Sequence, residues 1–142
     1  MILLDTNVLS ELVRARPDPA VAEWIAAKPI SSLFTSAITQ AEMLLGVALM
    51  PSGKRRAALT EAVSALFDED MADRVLSFEA SAARDFAAIV AHRRTIGRPI
   101  SHADAQIAAI ARSRGATVAT RNTADFADCG VEVVDPFLRS SK

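Results

Sequence analysis

Residues 1–9 read Met1-Ile2-Leu3-Leu4-Asp5-Thr6-Asn7-Val8-Leu9. Ile2, Leu3 and Leu4 form an apolar run that Asp5 ends. The run is too short for a helix and suits a strand buried on both faces. Thr6 or Asn7 can cap a following helix, with Val8, Leu9, Leu12 and Val13 at helical spacing. Strand then helix recurs down the chain. Leu33-Phe34-Thr35 reads as a second strand, and Ser36 or Thr35 opens a helix to about Met50, stopped by Pro51-Ser52-Gly53. Further helices are expected at about 18–27, 54–67, 79–95 and 101–113, the last ended by Gly115. Strands are expected at 74–78, 117–120 and 131–134. Short strands alternating with helices predict an α/β fold, a parallel sheet covered by helices.

The composition agrees with one domain, 1–142, whose core spans about 1–137. Apolar residues are 51 % and charged residues 23 %, which excludes intrinsic disorder. The net charge of −1 carries no global basic field, so nucleic acid would have to meet a local patch. A lone cysteine, Cys129, cannot form an internal disulfide, and with only two histidines a structural zinc site is not expected. No apolar run reaches about 18 residues, and the N-terminus lacks the basic region of a signal peptide. A cytoplasmic protein with no membrane span is expected.

Ligands of parallel α/β sheets bind beyond the carboxyl ends of the strands, where the strand order reverses. Asp5 ends the first strand, where it serves either as a helix cap or as a ligand. Glu42 shares helical spacing with Ile38, Ala41, Leu45 and Leu49, which predicts that it faces inward. A capping box, Thr39-x-x-Glu42, is the structural alternative. Asp104 precedes Ile107, Ala108 and Ala111 on one apolar face, and Ser101-x-x-Asp104 also fits a capping box. Asp125 follows the fourth strand in a loop. Carboxylates about 5 Å apart repel by roughly 3 kcal/mol at an effective dielectric near 20. Several together need a cation or shifted pKa values. Oxygen-only ligands favour Mg²⁺ or Mn²⁺, ions suited to metal-assisted phosphodiester hydrolysis.

Asp5-Thr6-Asn7 after an apolar strand, Glu42 in Ser36-Ala37-Ile38-Thr39-Gln40-Ala41-Glu42, Asp104 in Ala103-Asp104-Ala105-Gln106-Ile107, and Thr120-Arg121-Asn122-x-x-Asp125-Phe126 come in a familiar order. Together they resemble the PIN domain, in the VapC/FitB-like toxin branch of bacterial type II toxin–antitoxin systems. The likeness runs from Met1 to about Phe137. It implies a three-layer α/β/α fold with a five-stranded parallel sheet of order 3-2-1-4-5. It also implies an endoribonuclease dependent on Mg²⁺, with Mn²⁺ as a substitute, that hydrolyses RNA with metal-activated water. Asp5 and Asp104 would be the principal metal ligands and Glu42 would complete the site. Family members place a fourth acid at the position either of Asn122 or of Asp125, and Asp125 is the acid present here. Thr6, Asn7, Thr120 and Asn122 would support the site through hydrogen bonds. The resemblance further implies a homodimer and a cognate antitoxin covering the acidic groove. Leu44, Val47 and Met50 exceed one core-facing stripe, which agrees with a dimer face.

Cationic contacts to RNA are expected from Lys54-Arg55-Arg56, from Arg93, Arg94 and Arg98, and above all from Arg121 beside the site. Aromatic residues are scarce, so recognition is expected to follow backbone shape more than base stacking. A non-catalytic module with the same fold would lack part of the acidic set. A phosphotransfer domain of the aspartyl-phosphatase kind would carry a second Asp at position 7, where Asn7 stands. A DNA nuclease would share the metal chemistry and differ only in substrate.

Overall fold

The computed structural model describes residues 1–138. Strand β1 (Ile2–Leu4) leads into α1 (Thr6–Glu11), then α2 (Pro19–Ala26), β2 (Leu33–Ser36) and α3 (Ala37–Ala48). Helix α4 (Lys54–Ala65) widens into a π-helical turn, Leu66–Asp70, before β3 (Val75–Leu76). Helices α5 (Ala80–Thr95) and α6 (His102–Arg114) precede β4 (Thr117–Ala119), a 3₁₀ turn at Thr123–Phe126, and β5 (Val133–Val134). The five strands are all parallel, in the order β3-β2-β1-β4-β5, as the resemblance implied. The expected helix at 54–67 ends two residues early in regular form, because Met71 N–H bonds back to the Leu66 carbonyl, five residues away. The edge strands β3 and β5 are shorter than expected, since each has a single neighbour to hold it. Residues 139–142 of the expected domain lie outside the described residues.

Alternation along the strands builds two cores. Leu3 and Val118 point to the α5 and α6 side, where they meet Ile89, Ile107, Ile110 and Phe126. Leu4, Leu33 and Ala119 point to the opposite side, against Val8, Leu9, Val21, Met43, Val63 and Leu66. Full burial of each leucine contributes roughly 1.5–3 kcal/mol. Both faces of the sheet are thus covered, which explains why Ile2, Leu3 and Leu4 read as a continuous apolar run. Gly115 ends α6 in the left-handed conformation at φ 66°, where a side chain would be strained.

Helix α3 corrects one expectation. Its buried row is Thr39, Met43 and Val47. Leu45 and Leu49 are 58 % and 75 % exposed, and Glu42 on the same side as Leu45 is exposed rather than inward-facing. Val47 belongs to the core, so the surplus apolar residues are Leu44, Leu45 and Leu49. A helix apolar on most sides does not reveal its core face by periodicity alone. The choice falls to Met43 and Val47, which join the cluster of Leu4, Val63 and Leu66.

Candidate active site

β1 and β4 are neighbours, while the chain passes from β1 to β2 on the other side. The strand order therefore reverses between β1 and β4, at whose carboxyl ends Asp5 and Thr120 stand. Asp5 continues the pairing, its N–H donating to the Ala119 carbonyl at 2.9 Å. The Asp5 side chain is 5 % exposed. Its Oδ1 accepts from Thr6 N–H at 2.8 Å, and its Oδ2 accepts from Thr120 Oγ1 at 2.8 Å and Asn7 Nδ2 at 3.2 Å. The capping position and the switch point coincide at this residue, which caps α1 at the carboxyl end of β1. Burial pushes the Asp5 carboxyl above its usual pKa, and the Glu42 charge adds to that. The donors Thr120, Thr6 and Asn7 oppose it.

Glu42 reaches the site from outside. Thr6 Oγ1 donates to Glu42 Oε1 at 2.9 Å and stands 3.2 Å from Thr39 Oγ1. The capping-box alternative fails, because Ser36 caps α3 by accepting from Thr39 N–H at 3.1 Å. Thr39, considered from the sequence only as a cap, joins the hydrogen-bonded group around Glu42 through Thr6. It is fully buried, and its hydroxyl lies between those of Ser36 and Thr6. A polar residue in the buried row of an apolar helix was the signal for it.

Asp104 is half-buried in the first turn of α6, with Ser101 capping the helix. Burial raises its pKa first, and the charges of Asp5 and Asp125 raise it further. Ser101 and the Arg93 guanidinium pull it down. The fold thus brings Asp104 into the fields of both Asp5 and Asp125. Asp125 is exposed, on the 3₁₀ turn anchored by buried Phe126. Asn122 carries no charge, and its N–H donates to Thr120 Oγ1 at 3.1 Å. Asn7 binds the end of β4 a second time, Nδ2 to Thr120 Oγ1 at 3.2 Å and Oδ1 accepting from Arg121 N–H at 2.9 Å. The Arg121 guanidinium carbon lies 3.9 Å from the centre of the Phe137 ring.

Among the described residues, no three His, Cys, Asp or Glu side chains already form a metal cage. The Asp5 and Glu42 carboxylates are turned onto protein donors instead. Asp5 nevertheless feels the Glu42 charge, and Asp104 feels those of Asp5 and Asp125, so four acids with only oxygen donors influence one another pair by pair. Asp5 and Asp104 resist ionisation through burial and like charge. A hard divalent cation is the kind of group that relieves this, so the donor set fits Mg²⁺ or Mn²⁺ in chemistry and charge.

One basic patch changes meaning. Arg93 is buried, so it leaves the cationic cluster expected of Arg93, Arg94 and Arg98. Arg98 pairs with Asp128 at 3.2 Å on the surface.

Residues 2–131 match the PIN domain family. The chain belongs to the PIN-domain family. It is 44 % identical over 137 residues to VapC ribonuclease Y4jK of Sinorhizobium fredii, covering 96 % of this chain and 98 % of that protein. It is 40 % identical to Toxin FitB of Neisseria gonorrhoeae, covering 96 % and 99 %. A solved FitAB complex bound to a DNA fragment contains a chain that superposes with a TM-score of 0.91 at 40 % identity, covering 99 % of both chains. These likenesses place the PIN domain within its VapC/FitB branch, in agreement with the expected family and fold. No helix among the described residues is long and apolar enough to cross a membrane.

Proposed function

We propose that this PIN domain is a Mg²⁺-dependent endoribonuclease, with Mn²⁺ as a substitute, and the toxin of a type II toxin–antitoxin pair. The observation that supports the reading is that Asp5, buried at the end of β1, feels the Glu42 charge while Asp104 feels those of Asp5 and Asp125, with Asp5 and Asp104 held above their ordinary pKa. A non-catalytic module has no use for carboxylates buried beside like charges. The names of the relatives, a VapC ribonuclease and a FitB toxin, agree with it.

Asp5 and Asp104 would hold the ion, with Glu42 and Asp125 completing the site. When bound, the ion supplies Lewis acidity and neutralises charge developing on the phosphate. Thr120 and Asn7 orient the Asp5 carboxylate, and Thr6 orients Glu42. Arg121 serves as the phosphate contact, with its backbone held by Asn7 and its guanidinium plane resting on Phe137. Water attacks phosphorus in line, the bond to the 3′ oxygen breaks, and that oxygen takes up a proton. The products are a 5′-phosphate and a 3′-hydroxyl.

The FitAB complex is a precedent for a partner protein, and a cognate antitoxin is proposed here. An acidic groove gives a cationic antitoxin side chain an electrostatic reason to enter it. Exposed Leu44, Leu45 and Leu49 supply an apolar face for a homodimer.

The test is cleavage of a pooled structured RNA by purified protein, freed of any partner, with Mg²⁺, Mn²⁺ or EDTA. Folded Asp5→Asn and Asp104→Asn variants run beside it. Metal-dependent cleavage lost in both variants is expected. Equal cleavage by wild type and variants would overturn the assignment. Cleavage of DNA but not RNA would move the reading to a DNA nuclease.

A further inference from the structure

Arg93, on the last turn of α5, is 5 % exposed. Among the described residues it joins none of the salt bridges. Its guanidinium spends its donors on neutral acceptors. Nε donates to the Arg98 carbonyl at 2.6 Å. Nη1 donates to the carbonyls of Asp125 at 3.0 Å and Ala127 at 2.8 Å, and lies 3.5 Å from Cys129 Sγ. A buried cation with no carboxylate bonded to it is costly, even with the Asp104 charge in its field, and an apolar side chain would fill the same space without that cost. The guanidinium must therefore serve something that packing alone does not.

What it serves is visible in the segment it grips. The two carbonyls flank Phe126, whose ring is buried in the α5–α6 core. The 3₁₀ turn Thr123–Phe126 has no side-chain cap, and Asp128 just beyond it adopts a positive φ of 59°. A short, uncapped turn leading into a strained residue has little of its own to hold it. Arg93 ties it to the end of α5, 32 to 34 positions away in sequence. A planar guanidinium can make these bonds in several directions at once, which a lysine ammonium on a flexible stem cannot reproduce.

We propose that Arg93 is a positioning residue, a buried clamp that holds the backbone on both sides of Phe126 and so keeps the Asp125 carboxylate beside Asp104. The link to catalysis rests on the nuclease reading above, whereas the clamp does not. The clamp is tested without metal or RNA, by hydrogen exchange on wild type, Arg93→Met and Arg93→Lys. In Arg93→Met, amides of 122–128 are expected to exchange at least about ten-fold faster while those of β1 and α6 keep their protection. Arg93→Lys, which keeps charge but loses the fork, should fall between. Unchanged exchange in 122–128, or an even loss of protection through the whole chain in both variants, would overturn the clamp.

Cleavage kinetics then test the route through Asp125. Arg93→Met should lower kcat about ten-fold with KM little changed, yet by less than about two-fold when added to Asp125→Asn. Losses that multiply would overturn the positioning role. A wild type that cleaves nothing would count against the nuclease reading alone, with hydrogen exchange still deciding the clamp.

Discussion

Thr120 Oγ1 lies 2.8 Å from Asp5 Oδ2, joining two residues 115 positions apart across the switch point of the sheet. The same oxygen accepts from Asn7 Nδ2 and Asn122 N–H. Its single proton is therefore free for Asp5, and the direction of the bond is fixed by its neighbours. Thr120→Val keeps the shape and removes the donor. It is expected to cost about 1–3 kcal/mol and weaken Mn²⁺ binding about 10–100-fold. Thr120→Ser should restore most of both. Thermal melts and a Mn²⁺ titration decide it, and unchanged affinity in the valine variant would mean that Asp5 needs no orienting bond.

Asp104 gives a pH signature to the metal-free protein. Its folded-state pKa is raised, chiefly by burial. The folded form thus holds the proton more tightly than the unfolded chain. Stability falls as pH rises from the unfolded value through the folded one, and stays reduced above it. Asp104→Asn abolishes that fall. At pH 7 in EDTA the variant should melt higher than wild type, by up to about 4 °C, with the difference vanishing below about pH 3. An Asn variant that melts lower at pH 7 would show that the carboxylate is a net stabiliser.

A bound divalent ion should reverse that order. Saturating Mn²⁺ at about 100 times its dissociation constant stabilises the folded state by about 2.7 kcal/mol. Wild type should gain several degrees in Tm, Asp5→Asn and Asp104→Asn little or none, and EDTA should remove the gain. Equal shifts in all three proteins would locate the ion elsewhere.

Thr6 is expected to act through Glu42, which accepts its hydroxyl proton at 2.9 Å. Glu42→Gln should lower kcat about 100-fold and Thr6→Val about ten-fold, with the double variant close to Glu42→Gln alone. Independent losses in the double variant would assign Thr6 a separate role.

Leu45 and Leu49 test the dimer. Both are exposed on α3, outside the core row of Met43 and Val47. Changing both to Glu should halve the mass measured by light scattering while leaving the circular dichroism of the helices intact. An unchanged mass would move any dimer contact to another face.

The alternation of strand and helix was legible in the sequence because it is local. Ile2-Leu3-Leu4 is apolar on both sides since both faces of the sheet are covered, and Gly115 stops α6 by its own conformational freedom. The order of the four acids along the chain was legible for the same reason, with Asp5 at the end of β1 and Asp104 in the first turn of α6. What periodicity misjudged was α3. Two apolar rows compete there, and the row carrying Leu45 and Leu49 lies outside while Thr39, Met43 and Val47 lie within.

By itself, then, the sequence determined the α/β class, the acid-bearing strand ends and the family likeness, because each rests on residues close together in the chain. Only the tertiary structure decided that Glu42 approaches from the surface and is held by Thr6, and that Arg93 is a buried clamp and not a surface cation. It also decided that Thr120 orients Asp5. These bonds join residues 32 to 115 positions apart. Periodicity reports which face a residue shares with its near neighbours in the chain. It carries no information about which distant donor will meet a carboxylate when the sheet closes.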